Sequence, residues 1–270
     1  MNFLRTGHYF GQTNTTIHLN GITLTDTVIE AQEHIDWHFH ENAYFTLILQ
    51  GKLIEVNKKE KYYCKAGSLL FHSPQEPHYN VKLEDNTKFF NIEFDKNCFD
   101  DFAFDANALH GSFSVENPDI KLLLYKAFRE TKNFDDVTVA SIQMLLSEIL
   151  RQMLRFKRVG QNTKPRWTNK LKEILHDTYA EKISLINLSN ELSIHPAHLS
   201  RDFSKHFHCT FGEYVRKLRV EKSLAFLPNK NLSLTEIAFQ CGFADQSHFL
   251  RCFKQIIGTN PNAYRKFLLC

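Results

Sequence analysis

The chain has 270 residues, enough for two domains that each bury a hydrophobic core. Its 43% hydrophobic and 23% charged residues are ordinary for a soluble globular protein. The six cysteines are scattered without paired spacing, which favours reduced thiols over a disulfide framework or a structural zinc site. Because no apolar run suits a signal peptide or a membrane span, we expect a cytoplasmic protein.

The net charge of +3 is unevenly distributed along the chain. Residues 166–270 contain 15 Lys and Arg against 9 Asp and Glu, a net charge of +6, whereas the preceding residues carry a net charge of −3. A basic C-terminal third indicates a polyanionic partner. A solvated basic surface is the alternative that charge by itself leaves open.

Short β-strands are predicted up to about Phe94. The segment YFTLILQGKLIEVN contains two apolar runs separated by Gln50-Gly51, which is a hairpin signal. Further strands are predicted in YYCKAGSLLFHSPQEPH, after a turn at Gly67, and in TKFFNIEF. Many short strands with regular turn signals predict a sandwich or a barrel.

Two histidines lie on a predicted strand at a spacing of two. His38 and His40 project to the same side of the strand, as two metal ligands do. The segment resembles the first cupin motif, except that Tyr44 stands where that motif has a glutamate. His78 resembles the histidine of the second cupin motif, one residue early, and His72 is a further candidate. Because the carboxylate of the usual four-ligand set is missing, we predict no metal and no other cofactor, and assign the histidines structural or ligand contacts.

The periodicity becomes helical near Asn117-Pro118. DIKLLLYKAFRE and VASIQMLLSEILRQMLRF have apolar residues at i, i+3, i+4 and i+7, so two amphipathic helices are predicted. The apolar stripe from Ile142 to Leu154 either packs on the barrel or joins two subunits, and we predict dimerisation through Val139–Phe156. The polar and basic segment Lys157–Arg166 lacks this periodicity and is predicted to link two domains.

Two pairs of helices are predicted in the C-terminal third. SLINLSNELSI precedes HPAHLSRDFSKHF in the first pair, and SLTEIAFQCGF precedes DQSHFLRCFKQIIG in the second. Tight turns at Ser193-Ile194 and Cys241-Gly242-Phe243 join the helices, which is helix-turn-helix geometry, repeated. A helix of about 17 residues, roughly 25 Å long, separates the pairs and can hold two recognition helices about one DNA turn apart.

Many spaced residues between Thr168 and Phe267 together resemble the signature of the AraC/XylS transcriptional regulators. The matching residues are Phe211, Tyr214, Arg219, Ile237, Ala238, Gly242, Phe243, Phe249, Phe253, Lys254, Gly258, Pro261, Tyr264 and Arg265. The chain departs from the family at His208, where glycine is usual after the first recognition helix. The aromatic strands, the glycine turn and the Pro-His segment of the N-terminal half also resemble the effector domain common in these regulators.

The resemblance implies a sequence-specific DNA-binding regulator, an activator working with RNA polymerase, and not an enzyme. Arg pairs with guanine and Gln with adenine in the major groove. The residues that then face DNA are Ala197, Ser200, Arg201, Gln246, Ser247 and Arg251. Side chains predicted to line a pocket for a small-molecule effector are Trp37, His38, His40, Tyr44, Phe71 and His78. The alternative for each is an exposed or core side chain without a ligand.

The predicted architecture is multidomain. Residues 1–156 form a cupin-like β-barrel followed by amphipathic helices, which binds the effector and dimerises; residues 157–166 form the linker. Residues 167–270 form an all-α DNA-binding domain with two helix-turn-helix units joined by a long helix. The predicted partners are double-stranded promoter DNA, a small-molecule effector, RNA polymerase and a second copy of the chain, with no membrane. A metal-dependent cupin enzyme with appended helices is the alternative function.

Overall fold

The structure is a computed structural model that describes residues 1–30, 34–82, 84–96, 111–160 and 165–269. It forms two compact units, Met1–Leu154 and Arg155–Cys270. The segment predicted as the linker, 157–166, begins as helix up to Gly160, and a new helix begins at Arg166. Its centre, 161–164, lies outside the described residues. Every helix in the described ranges is too short or too polar to cross a bilayer.

Two β-sheets make up most of the N-terminal unit. Their strands are β1 (Asn2–Leu4), β2 (Gln12–Leu19), β3 (Ile22–Ile29), β4 (His34–His40), β5 (Ala43–Gln50), β6 (Lys52–Asn57), β7 (Lys61–Lys65), β8 (Leu69–His72), β9 (His78–Lys82), β10 (Thr87–Phe94) and β11 (Phe113–Ser114). One sheet has the order β1-β4-β9-β6-β7, and the other has the order β11-β8-β5-β10-β3-β2. The apolar residues of β5 and β10 supply much of the buried core.

The hairpin predicted at Gln50-Gly51 is wrong. β5 pairs with β8 and β10 in one sheet, whereas β6 pairs with β7 and β9 in the other. Gly51 has a φ of +87°, and a β-carbon there would stand 2.5 Å from Oγ1 of Thr87. Glycine at this corner therefore takes the chain from one sheet to the other, which a hairpin turn cannot do.

Nine helices lie within the described ranges. They are α1 (Pro118–Lys132), α2 (Thr138–Gly160), α3 (Arg166–Thr178), α4 (Leu185–Glu191), α5 (Pro196–Phe207), α6 (Phe211–Phe226), α7 (Leu234–Gln240), α8 (Gln246–Ile257) and α9 (Pro261–Leu269). On α2, the stripe residues Ile142, Leu146, Ile149 and Met153 are buried in the folded chain. These residues pack inside the protomer, which was the alternative to a dimer interface, and dimerisation through Val139–Phe156 stays a prediction.

Helix boundaries in the C-terminal unit follow their sequence signals. Ser233 and Glu236, a Ser-x-x-Glu pair, form the capping box of α7. The Asp245 side chain accepts a hydrogen bond from the His248 amide at 2.7 Å and caps α8, which ends at Gly258 with a φ of +89°. The predicted fold class, a sheet-rich N-terminal region followed by a helical C-terminal domain, is confirmed.

Candidate functional sites

The turns of the two helix-turn-helix units have the same hydrogen bonds. The Ile194 amide donates to the Ser189 carbonyl at 2.9 Å, and the Phe243 amide donates to the Ala238 carbonyl at 2.9 Å. Ser189 and Ala238 are both buried where the paired helices approach each other. A small residue at that position lets the second helix of each pair pack closely on the first.

A left-handed residue follows the first helix of each pair. Ser193 has a φ of +54°, and Gly242 has a φ of +77°. A β-carbon on Gly242 would stand 2.6 Å from the Ala180 carbonyl oxygen, so the second turn requires glycine. The first turn carries the same conformation with a side chain present.

The first recognition helix, α5, buries Leu199 and Phe203 and exposes its other face. The predicted DNA-facing residues of α5 are all exposed: Ala197, Ser200 and Arg201. Arg201 is engaged by neighbours, because its Nη2 lies 2.7 Å from Nδ1 of His198 and its Nε lies 3.4 Å from Oδ1 of Asp202. Contact with a base would replace these exposed interactions.

The second recognition helix, α8, buries Phe249, Phe253 and Ile257. Of its predicted DNA-facing residues, Ser247 and Arg251 are exposed and Gln246 is half-buried. Gln246 accepts a hydrogen bond at 2.7 Å from the hydroxyl of Thr235, which orients its amide. Arg251, by contrast, has no hydrogen bond or ion pair with any other described residue.

Helix α6 packs against both recognition helices, α5 and α8. Its N-terminus is held by a capping box between Thr210 and Glu213. Arg219 donates from Nε to the Tyr179 carbonyl and from Nη2 to the Glu181 carbonyl, each at 2.8 Å. These bonds fix the spacer helix on the end of α3, so the 16 residues of α6 form one rigid element between the two units.

His208 ends α5 in the left-handed conformation that glycine usually supplies. Its φ is +57°, and its amide donates to the Ser204 carbonyl. The departure from the family pattern therefore keeps the turn geometry and adds backbone strain, because a side chain disfavours this conformation.

A cavity of about 50 Å³ lies between the two sheets of the N-terminal unit. Four of the predicted effector-binding residues line it: His38, His40, Tyr44 and His78. The other two lie elsewhere. Trp37 is 39% exposed and packs on Tyr79, whereas Phe71 is buried against Phe45.

Backbone carbonyls fix two of the cavity histidines. Nδ1 of His38 lies 2.8 Å from the Asp36 carbonyl oxygen, and Nδ1 of His78 lies 3.1 Å from that of Glu76. Because a carbonyl only accepts, both rings carry their proton on Nδ1 and have a lone pair on Nε2. Nε2 of His78 then accepts a hydrogen bond from the Tyr44 hydroxyl at 3.1 Å.

Burial sets the protonation of this cluster. Loss of solvent lowers the pKa of His40 and His72 well below the usual range, and lowers the pKa of His78 to about 3. Burial also raises the pKa of the Tyr44 hydroxyl. The histidines are therefore neutral near pH 7, the form in which imidazole binds a ligand proton or a metal.

Sequence reasoning missed the carboxylate of this region, Glu55. It lies on β6 with its side chain inward, between the buried residues Leu53 and Asn57. Burial raises the pKa of Glu55 to about 8. The alternation of β6 gave no signal for it, because the apolar Ile54 and Val56 lie on the opposite face of the strand.

Comparisons with known proteins match both halves of the chain. A model of the AraC-like ligand binding domain matches residues 27–176, and a helix-turn-helix domain model matches residues 188–266. The transcriptional activator RhaS of Escherichia fergusonii is 25% identical over 246 residues, covering 85% of this chain and 87% of RhaS. The Bacillus subtilis regulator YisR is 22% identical over 242 residues, covering 82% of this chain and 84% of YisR.

Other matches are shorter or structural. The Msm operon regulatory protein of Streptococcus mutans is 26% identical over 130 residues, and the chain spans 46% of its length. The crystal structure of ToxT from Vibrio cholerae aligns with 93% of this chain and 100% of its own at a TM-score of 0.40 and 14% identity.

The family predicted from the sequence is confirmed by the two family models. The ligand-binding model alone matches more than half of the chain, and the second model begins within α4 and extends through the second helix-turn-helix unit. The chain belongs to the AraC family of transcriptional regulators.

Proposed function

We propose that this chain regulates transcription by binding promoter DNA through α5 and α8, under the control of a ligand held by the N-terminal unit. The observation that carries this proposal is the repeated helix-turn-helix with matching turns, joined by one rigid helix. The spacer of 16 residues is about 24 Å long at 1.5 Å per residue. Recognition helices held at this scale suit successive major grooves on one face of DNA.

Arg251 and Arg201 are the base-reading candidates within this proposal. Arg251 lacks a bonded neighbour among the described residues, so its guanidinium is available for a guanine edge. Arg201 has to exchange its contacts with His198 and Asp202 for contacts with DNA. Gln246 is oriented by Thr235 and suits adenine, while Ala197, Ser200 and Ser247 suit a thymine methyl or phosphate oxygens.

Selection of bound duplexes from a random pool by the full-length protein tests this function. We expect one enriched motif with two half-sites about ten base pairs apart. Affinity for that motif is expected to fall steeply with salt, by about 10³ to 10⁵ between 50 and 200 mM if six to ten phosphates are contacted. An Arg201→Ala/Arg251→Ala double variant serves as the control. Failure to enrich any motif, or binding indifferent to salt, contradicts the proposal.

We propose that a small-molecule effector binds in the cavity lined by His38, His40, Tyr44 and His78. Ligand pockets usually have volumes of about 300–1,000 Å³, so an effector of ordinary size requires the two sheets to open around the cavity. A metabolite screen by thermal shift tests this, because a ligand at 100 times its Kd adds about 2.7 kcal/mol of stability. Trp37 and Phe71, which lie away from the cavity, then contribute only indirectly.

We also propose that the regulator acts in the cytoplasm as a homodimer that contacts RNA polymerase and activates transcription. The support is its family membership and its similarity to RhaS, which is described as an activator. The dimer contact in this proposal is the predicted one, through Val139–Phe156 of α2. Sedimentation of the full-length chain with and without its DNA site tests the dimer, and a monomer in both cases contradicts it.

A further inference from the structure

Buried polar atoms without partners cluster on one wall of the N-terminal unit. Both ring nitrogens of His72, Oε1 of Glu55 and Nδ1 of His40 have no hydrogen-bond partner among the described residues. All three side chains are buried. Native structures rarely leave such atoms unpaired, and a cluster of them indicates a bound water or ion.

Two of the side chains with unpaired atoms, Glu55 and His72, belong to a set with metal-binding geometry. The donor atoms of Glu55, His72 and His78 all lie within 4.8 Å of one another. Nδ1 of His72 is 3.5 Å from Oε1 of Glu55, long for a hydrogen bond. It is close to the separation of about 3.4 Å between ligands of a tetrahedral zinc ion with bonds of about 2.1 Å.

Hydrogen bonds to neighbouring residues orient two of these candidate metal ligands, His78 and Glu55. His78 donates from Nδ1 to the Glu76 carbonyl, which directs its Nε2 lone pair into the cluster. Asn80 donates from Nδ2 to Oε2 of Glu55 at 3.1 Å and leaves Oε1 free. In metal sites, ligating histidines donate a hydrogen bond from their other nitrogen, and ligating carboxylates accept one at their other oxygen.

Charge and space also suit a small cation. Glu55 and His78 line the cavity, and His72 lies beside it, 3.5 Å from Glu55. Among the described residues that line the cavity there is no Lys or Arg. A volume of about 50 Å³ holds an ion and a few waters, well below the pockets of about 300 Å³ or more that take organic ligands.

We propose that Glu55, His72 and His78 bind one divalent transition-metal ion, with water completing its coordination. Two imidazoles and one carboxylate form a ligand set that zinc and related ions accept. His38 and His40 form a second possible triad with His78, but this triad has no anionic ligand and contains only one of the unpaired atoms. Metal binding goes beyond the regulatory role proposed above and does not depend on DNA binding.

The test uses the full-length chain, dialysed against a chelator and titrated with zinc chloride against a chromophoric competitor. We expect one zinc per chain. Glu55→Gln and His72→Gln each weaken zinc binding by more than about tenfold, the lower end of what loss of even an outer contact costs. His34→Gln, at an exposed histidine of the same unit, is the matched control and leaves the affinity unchanged.

Tyr44→Phe is a further test, because the Tyr44 hydroxyl is hydrogen-bonded to Nε2 of His78 and competes with a metal ion for that atom. Removing that competitor is expected to tighten zinc binding, and weaker binding would make Tyr44 a ligand and overturn the proposed set. A folded wild-type chain that retains no zinc also overturns it. So does loss of zinc in a His38→Gln/His40→Gln variant while Glu55→Gln and His72→Gln retain it.

If the Glu55 or His72 variants fail to fold, a crystal structure of the zinc-loaded wild-type chain tests the proposal without them. Anomalous scattering from crystals of the zinc-loaded chain is expected to give a peak among Glu55, His72 and His78. A peak enclosed by His38, His40 and His78 contradicts the proposal.

Discussion

The backbone of Gly242 lies directly against that of Ala180. A β-carbon on Gly242 would stand 2.6 Å from the Ala180 carbonyl oxygen, and Gly242 has a φ of +77°. The turn of the second helix-turn-helix unit therefore rests on the residue that follows α3 and its cap. This contact connects the start of the C-terminal domain to the recognition helix near its end.

Gly242→Ala is accordingly expected to destabilise the C-terminal domain by at least about 2 kcal/mol. The left-handed backbone costs a residue with a side chain about 1–2 kcal/mol, and forcing the close contact apart costs about 1–3 kcal/mol. Calorimetric unfolding of the full-length chain measures the change. Gly212→Ala is the control, since its β-carbon meets only the flexible end of Arg216 at 3.3 Å. Equal effects of the two substitutions would contradict the explanation.

Glycine is expected to stabilise the two left-handed positions that lack it. Ser193 and His208 have φ values of +54° and +57°, respectively. His208→Gly and Ser193→Gly should each raise the free energy of unfolding, by up to about 1 kcal/mol, as strain relief exceeds the entropy cost of glycine. Because the sites lie in different turns, their effects should add. Urea unfolding of both single variants and the double variant measures this, and a loss of stability in either single variant would show that its side chain makes a compensating contact.

Substitution of the two recognition arginines is expected to change preference at two separate operator positions. Arg251→Ala should cost about 1–3 kcal/mol and relax the preference at one base pair. Arg201→Ala should do the same about ten base pairs away, because α6 sets the spacing. Lys254, exposed in the last turn of α8, is the control, and Lys254→Ala should weaken all sequences alike. Binding to single-base variants of the selected operator gives the answer. A shared position for both arginines would contradict the two-groove arrangement.

The two capping boxes are expected to make the C-terminal domain sensitive to acid. Hydrogen bonds from the backbone and hydroxyl of Thr210 lower the pKa of Glu213, and those from the hydroxyl and backbone of Ser233 lower the pKa of Glu236. Both carboxylates therefore stabilise the fold above their unfolded pKa of about 4.3, and this stabilisation disappears as the pH falls through the lower folded values.

Hydrogen exchange of α6 and α7 in the full-length chain can follow this effect. At pH 7 we expect a Glu213→Ala/Glu236→Ala variant to lose protection relative to the wild type, and we expect the difference to shrink below about pH 4. Glu173→Ala, on the exposed face of α3, serves as the control and should lose little at either pH. A difference that stays constant with pH would mean that the charge of the caps is unimportant.

The two helix-turn-helix units and the helix between them could be predicted from the sequence, whereas the helices before and after them, α3 and α9, were not predicted individually. The helices of these units begin at capping residues such as Ser233 and Asp245 and end at a left-handed residue such as Gly258. These signals act within a few residues of one another, so they can be recognised without knowledge of the fold. The same holds for the buried stripes of α5 and α8, which follow the helical period.

Features that depend on residues far apart in the sequence could be established only from the tertiary structure. The apolar runs of β5 and β6 predicted two strands, but the corner at Gly51 and the pairing of the two strands with different sheets depend on partners far along the chain. The stripe of α2 was visible as apolar, yet only packing determined that it is buried in the protomer. Glu55 and His72 meet because β6 and β8, which lie in different sheets, face the same interior. Strand periodicity specifies a face and not a partner, so this cluster could arise only from the assembled sheets.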